Sequence, residues 1–106
     1  MSALRHEVMA ALGEPTRLIL VERLAEGGPQ PISRLIDGLD MTRKGVRKHL
    51  QVLENADVIT LQKSGREQVV ELRVESFDDV RRWMNEIASE WERRLMRFKA
   101  FVESAE

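Results

Sequence analysis

The sequence contains no cysteine and only two histidines among 106 residues. The absence of cysteine excludes disulfides, thiolate nucleophiles, cysteine-ligated zinc and a thiol redox switch. No stretch approaches the roughly 20 apolar residues of a membrane-spanning helix, and residues 1–12 carry charges where a secretory signal would be apolar. We therefore expect a cytoplasmic protein with no membrane partner and no cofactor. The length fits a single domain, residues 1–106, with a modest core.

Net charge is also nearly absent, since 17 Lys and Arg face 18 Asp and Glu. The distribution is uneven, however, because basic residues dominate residues 42–66, where the acids are Glu54 and Asp57, with Glu67 just beyond. The basic residues of this segment are Arg43, Lys44, Arg47, Lys48, Lys63 and Arg66. A locally positive surface is therefore expected on a protein that is almost neutral overall.

Apolar residues at helical spacing predict four helices in the first half of the chain. They cover residues 4–12, 15 to about 25, 32–39 and 42–55, and Thr42 is a favourable N-cap for the fourth. The buried face of that helix is expected to consist of Val46, Leu50 and Leu53. The third and fourth helices are joined closely enough to form a helix-turn-helix.

After Asp57 the apolar residues recur at every second position. This alternation predicts a β-hairpin, or wing, with its turn at residues 63–66. Ser76 and Asp79 resemble a capping box and open a long helix that reaches about residue 102. The predicted fold is mainly α with a small β-hairpin wing, a winged helix-turn-helix of order α1-α2-α3-α4-β1-β2-α5, and it is dimeric.

The long last helix carries more apolar surface than so small a body can cover, which predicts a homodimer. The first helix is the second expected contributor. The predicted interface residues are Leu4, Val8, Met84, Ile87, Trp91, Leu95 and Phe98. Each of the two tryptophans, Trp83 and Trp91, belongs either to the dimer core, which we favour, or to an effector pocket.

The fourth helix is the predicted DNA-reading element, because turning its apolar stripe inward places a basic, long-armed face outward. Arg47 is the leading base reader, since arginine matches the guanine acceptors of the major groove, and Gln51 suits adenine. Arg43, Lys48 and the wing are expected to hold phosphates. The full predicted set of DNA contacts is Thr42, Arg43, Lys44, Arg47, Lys48, His49, Gln51, Lys63 and Arg66.

Each of these assignments has a plainer alternative. The charges could merely solvate an exposed helix face, but the order helix, turn, basic helix and hairpin favours DNA binding. His49 lies at the edge of the buried stripe, and we favour a packing role over a phosphate contact. Gly45 either allows the helix backbone to approach DNA closely or is simply tolerated within the helix, and the sequence does not choose between the two.

Four short motifs identify a resemblance to a known family. Residues 12–17, L-G-E-P-T-R, resemble the L-x-D/E-P-T-R opening of ArsR-type winged-helix repressors, and residues 46–54, V-R-K-H-L-Q-V-L-E, are similar to their V-S-K-H-L-x-V-L-E recognition helix. Residues 55–59, N-A-D-V-I, resemble the usual E-A-G-L-V, and Gly65-Arg66 matches the wing. The resemblance implies a homodimeric repressor of an inverted-repeat operator, with first and last helices forming the dimer and an effector that lifts repression.

The chain also departs from this family. Arg47 stands where a small polar residue is common, which should alter or strengthen the base contact. The metal sites of many relatives need cysteines in the third helix, here residues 32–36, I-S-R-L-I, or histidines on the last helix, which has none. Metal is therefore not an expected partner. The resemblance is to a cysteine-free branch, and the effector stays unidentified, constitutive repression being an alternative.

Two other functional classes compete with DNA binding. No catalytic triad, phosphate loop, metal cluster or carboxylate pair with a pocket signal is present, so an enzyme is not expected. A winged-helix adaptor that binds proteins is the main rival, since folds are reused for new functions. Such an adaptor would not need the basic outward face.

Overall fold

The structure, a computed structural model, describes residues 4–105, so the terminal residues 1–3 and 106 of the predicted domain lie outside it. The elements are α1 (Arg5–Leu12), α2 (Pro15–Gly27), β1 (Gln30–Pro31), α3 (Ile32–Leu35), α4 (Arg43–Asn55), β2 (Ile59–Ser64), β3 (Glu67–Leu72), a 3-10 turn (Val74–Phe77) and α5 (Asp78–Ser104). The mainly helical fold with a β-hairpin wing is confirmed.

The wing contains one strand that the sequence did not reveal. β1 pairs with β3, opposing Gln30 to Val70 and Pro31 to Val69, so the antiparallel sheet has the order β1-β3-β2. Gln30 is buried, and its amide nitrogen donates to the carbonyl oxygens of Arg23 and Gly28. A two-residue strand containing proline shows no alternation, which is why period analysis cannot detect it.

One core holds the four short helices and the root of the hairpin together. Its fully buried members include Leu20, Ile32, Leu35, Leu50, Leu53, Val58, Ile59 and Val70. Val8 also lies in this core with 1% of its surface exposed. Its assignment to the dimer interface is therefore wrong, because α1 turns Val8 toward its own protomer and leaves the side chain no surface for a partner.

The third helix is shorter than its apolar spacing predicts. α3 ends at Leu35, and the chain continues through turns in which Gly38 adopts a φ of +80°. Arg23 stabilises this exit, because its Nη1 donates to the carbonyl oxygens of Leu35 at 3.0 Å and Asp37 at 2.6 Å. The last carbonyl groups of a helix lack the amide donors that a further helical turn would provide. The Arg23 guanidinium supplies donors to carbonyl groups at this exit instead.

The capping box predicted at the start of the last helix is not formed. Ser76 Oγ donates to the Arg73 carbonyl oxygen at 2.7 Å, within the 3-10 turn, and α5 begins after Phe77 without a side-chain cap. Asp79 instead accepts hydrogen bonds from Arg5 of α1. A distant arginine outcompetes the local backbone for this carboxylate because the ion pair is bidentate.

α5 leaves the body of the protein as a long projection. Its 27 residues correspond to about 40 Å of helix, and every described side chain from Met84 onward is exposed. The molecule is consequently elongated, with extents of 71 × 32 × 20 Å. Despite its length, neither α5 nor any other helix within residues 4–105 is apolar enough to cross a membrane.

α4 ends in a Schellman motif that forces a left-handed residue. The Val58 amide donates to the Leu53 carbonyl and the Asp57 amide to the Glu54 carbonyl, both at 2.9 Å. Asp57 adopts a φ of +61°, the only positive φ among the described non-glycine residues. This is the position at which the E-A-G-L-V pattern has glycine, and Asp57 carries the strain that glycine avoids.

Asp57→Gly should therefore raise the free energy of unfolding by roughly 0.5–1 kcal/mol, since glycine removes the steric cost of the left-handed conformation. The lost ion pair to Arg73 is long, at 4.0 Å, and its loss offsets little of this gain. Urea denaturation measures the difference. Asp57→Val should lower stability, and equal or greater stability of the valine variant would contradict the assignment of strain.

Candidate nucleic-acid interface

α4 is held by its apolar face and by its N-cap. Val46, Leu50 and Leu53 are fully buried, and Thr42 Oγ1 accepts the Gly45 amide hydrogen at an N···O distance of 3.0 Å. A Cβ at Gly45 would lie 3.2 Å from that same oxygen. The glycine thus leaves room for the capping hydroxyl, a role that the sequence did not indicate.

The opposite face of α4 is exposed and positively charged. Arg43, Lys44, Arg47 and Lys48 are all exposed, and within the described residues the side chain of none of the four makes a hydrogen bond or an ion pair. No acidic residue lies between Thr42 and Gln51. Their charges are accordingly free to meet an anionic partner without first breaking internal bonds.

The wing tip continues this charge. Lys63 and Arg66 are exposed, and the side chain of neither makes a hydrogen bond or ion pair among residues 4–105. Ser64 pairs with Glu67 across the turn, and Gly65 adopts a φ of +64°, the pattern of a type II′ hairpin. Glu67 is the acidic exception, and its Oε1 accepts from Ser33 Oγ at 3.5 Å.

Arg47 borders a small cleft of about 250 Å³ between α4 and the wing. Gln51 of α4 and Gln68 of β3 line the same cleft. Gln68 was not among the predicted DNA contacts. It lies two residues before the buried Val70 in β3, and side chains two apart in a strand lie on the same face. The flank of α4 that carries Arg47 therefore faces polar groups of the wing as well as solvent.

Gln51 is engaged within its own helix. Its Nε2 donates to Asn55 Oδ1 at 3.0 Å and to Glu54 Oε1 at 3.4 Å. Binding a base edge would require it to exchange these two bonds. That exchange lowers the net gain expected from Gln51 in comparison with the unpaired Arg47.

His49 points toward the start of α2 rather than along the basic face. Its Nδ1 lies 3.4 Å from Arg17 Nη1 and 3.7 Å from Glu14 Oε2, and only a quarter of its side chain is exposed. These contacts support the packing role that the sequence favoured. A phosphate contact by His49 stays a prediction.

Arg17 joins three helices at this point. Its Nε donates to the Ala11 carbonyl oxygen at 2.6 Å, which satisfies the C-terminus of α1, while its Nη1 reaches His49 of α4. Glu14 caps α2 by accepting the Arg17 amide hydrogen at 2.9 Å, and this bond is the main cause that holds the pKa of Glu14 below its ordinary value. The segment 12–17 thus has a structural role behind the recognition helix.

Arg17→Gln should lower the free energy of unfolding by roughly 1–2 kcal/mol, because a shorter neutral side chain releases the α1 carbonyl and the His49 contact. Thermal or urea denaturation measures the loss. Arg34→Gln removes the same charge at an exposed position and should change stability little. Equal effects of the two substitutions would show that net charge, not the three-helix contact, is responsible.

The predicted dimer residues other than Val8 lie exposed. Met84, Ile87, Trp91, Leu95 and Phe98 follow one side of α5, and Leu4 precedes α1. Exposed apolar side chains that the predicted interface omitted include Met96, Phe101, Val102 and, on α2, Leu18 and Ile19. Within the described residues, no three His, Asp or Glu side chains are grouped so that they could hold a metal ion.

Comparison with known proteins is consistent with this geometry. Residues 12–62, which run from the end of α1 into β2, match the family model of a helix-turn-helix domain. The HTH-type transcriptional regulator Rv2034 of Mycobacterium tuberculosis is 30% identical over 94 residues, which cover 89% of this chain and 84% of that protein. The HTH-type transcriptional repressor SmtB of the same species is 35% identical over 66 residues, 62% of this chain. The chain spans about half of the length of SmtB, 48%.

Solved structures resemble the whole chain more evenly. The ArsR family transcriptional regulator RHA00566 superposes with a TM-score of 0.75 at 30% identity, covering 87% of this chain and 97% of that one. An ArsR-like transcriptional regulator from Rhodococcus sp. RHA1 gives a TM-score of 0.77 at 29% identity, with 92% and 91% covered. The likeness therefore includes the long last helix as well as the helix-turn-helix.

Proposed function

Because the chain belongs to the ArsR family of winged helix-turn-helix DNA-binding transcriptional regulators, we propose that it is a cytoplasmic homodimeric repressor. It binds an inverted-repeat operator, with α4 in the major groove and the wing on the adjacent backbone. Proteins of this family are regulators rather than enzymes, in agreement with the absence of catalytic motifs from the sequence.

One observation carries the proposal. Six basic side chains lie exposed on α4 and at the wing tip, and none is neutralised by a partner within residues 4–105. By contrast, Arg5, Arg17, Arg23 and Arg73 are all engaged in internal bonds. Arg34 on α3 and Arg93, Arg97 and Lys99 on α5 also have no partner among the described residues, so the six on α4 and the wing tip are the largest such group. A group of unpaired cations of this size on a helix and the adjacent hairpin has the electrostatic footprint of a nucleic-acid site.

The six cations have different roles in the proposal. Arg47 lies on the groove-facing flank of α4 and reads a base, guanine being the best match to its two donors. Arg43, Lys44 and Lys48 hold phosphates beside it, together with Lys63 and Arg66 on the wing. Thr42 assists because it fixes the start of α4, where the free amides favour phosphate.

A binding titration against the chain's own upstream DNA and a scrambled duplex, at several salt concentrations, tests the proposal. We expect tighter binding to the upstream DNA and affinity that falls steeply with salt, because each phosphate contact releases counterions. A protein-binding adaptor would bind both duplexes equally and weakly at every salt concentration. That outcome would overturn the repressor function.

Arg47→Ala should reduce the preference for upstream over scrambled DNA by about 1–3 kcal/mol for each half-site, the value of one good base contact, and therefore by about 2–6 kcal/mol for the dimer. Lys63→Ala is the matched control, because it should weaken binding to both duplexes alike and reduce the salt slope by about 1.8, which is about 0.9 for each of the two protomers. Fluorescence anisotropy at several salt concentrations measures both quantities. If the two variants lose preference equally, Arg47 is not the base reader.

We propose the dimer because α5 carries an exposed apolar stripe. Met84, Trp91 and Phe98 repeat every seven residues, and Ile87 and Leu95 lie beside them. A contiguous apolar strip of this length on a single projecting helix needs a cover, and a second copy of the same strip is self-complementary. Trp91, 65% exposed in the protomer, therefore belongs to the dimer core or lines an effector pocket beside it.

Trp91→Glu should convert the dimer into a monomer or an unfolded chain, since a carboxylate in the apolar contact is left without a partner. Met96→Glu is the matched control, because Met96 is equally exposed but lies about 140° around the helix from Trp91. Light scattering coupled to size exclusion compares each mass with the protomer's 12.2 kDa. A folded dimer of Trp91→Glu would contradict the interface.

A further inference from the structure

α5 is attached to the body through a narrow contact. Phe77 and Val80 pack against the core, and Trp83 is half-buried, but no described side chain after Trp83 touches the body closely enough to be covered. α1 and the preceding 3-10 turn are the elements that α5 contacts most closely. The orientation of the long helix is therefore set within its first two turns.

Arg5 of α1 supplies the directional part of this contact. Its Nε lies 2.8 Å from Asp79 Oδ2 and its Nη2 lies 3.3 Å from Asp79 Oδ1. The guanidinium carbon is also 5.1 Å from the centroid of the Trp83 ring. The hydrogen bond from Arg5 is the main cause that lowers the pKa of Asp79, as expected when the ionised pair persists.

Two simultaneous contacts fix an angle where one would not. Apolar packing at Phe77 and Val80 is non-directional and tolerates small rotations. A bidentate arginine–carboxylate pair is planar, and stacking on an indole fixes that plane from a second side. We name Arg5, Asp79 and Trp83 the α1–α5 joint.

The joint has consequences at the recognition helix. In the proposed dimer, α5 belongs to the interface and α4 to the body, so a rotation at the joint moves each α4 relative to its partner. Over 32 Å, the second of the molecule's three extents, a rotation of about 6° displaces an atom by about 3.4 Å, one base-pair step.

We propose that the α1–α5 joint determines the spacing of the two operator half-sites that the dimer accepts. This inference rests on the proposed function, because it concerns how the two recognition helices are placed on one duplex. The residues act by positioning α4 and do not touch DNA. They determine specificity for the distance between half-sites, whereas Arg47 determines specificity within each.

The test measures affinity for a series of duplexes that contain the same two half-sites with the spacer varied one base pair at a time. Wild-type protein should prefer its best spacer by roughly tenfold over spacers one base pair longer or shorter. Arg5→Gln should reduce this ratio to about threefold or less, while it keeps the dimer mass and the preference for the half-site over scrambled DNA. Arg81→Gln is the control, because Arg81 pairs with Asp78 inside α5 and should keep the wild-type profile.

A second measurement needs no DNA. Since the chain has no cysteine, Lys44→Cys provides a single spin-label site on each α4, and electron spin resonance measures the distance between the two labels in the dimer. The distance distribution should be narrow in the otherwise wild-type protein and broader with Arg5→Gln. If Arg5→Gln does not fold, Arg5→Lys, which keeps the charge but loses the planar fork, should show the same broadening.

The outcomes separate the joint from the proposed function. An unchanged spacing profile with unchanged label distances in the Arg5 variants overturns the joint and leaves the repressor function intact. A wild-type protein with no preference for any half-site overturns both. A broadened distribution together with a flattened profile, with the Arg81 control unchanged, supports the joint.

Discussion

The structure depends on a constraint at α5, an exposed apolar stripe on a helix that one protomer cannot cover. From Met84 onward every described side chain of the helix is exposed, and Trp91 and Phe98 stand more than half exposed. A helix gains most of its stability in water by packing an apolar face, so a solitary α5 would be marginal and prone to association. In the proposed dimer a second copy of the chain covers this stripe.

α1 links the two ends of this arrangement. At its start, Arg5 binds Asp79 and stacks on Trp83 of α5, and at its end the Ala11 carbonyl receives Arg17, which also reaches His49 of α4. The short helix thus connects α5, the proposed dimerisation element, to α4, the proposed DNA-reading element, through oriented polar contacts. Directional hydrogen bonds of this kind fix the orientation of one helix relative to another, whereas apolar packing alone fixes it poorly.

Local patterns predicted the elements that are defined by local interactions. The period of α4 and its Thr42 cap were evident because the buried stripe and the capping hydroxyl lie within one segment. The hairpin was equally evident from alternation. The predictions that were wrong concern contacts between residues that lie far apart in the sequence. Val8 fits an interface stripe by spacing, yet spacing does not reveal which neighbour covers it, and Asp79 fits a capping box until Arg5, 74 residues away, is placed beside it. The packing role of Gly45 and the place of Gln68 beside Arg47 likewise emerge only in three dimensions.

Amide hydrogen exchange along α5 tests the central claim most directly, because it reports where the helix is covered and not only whether a dimer exists. Amides from Met84 to Phe98 should be protected as strongly as those of α4 at concentrations where the protein is dimeric, and this protection should fall on dilution. Rapid exchange beyond Trp83 in a protein whose mass is that of a dimer would contradict the account, since the partner would then lie elsewhere.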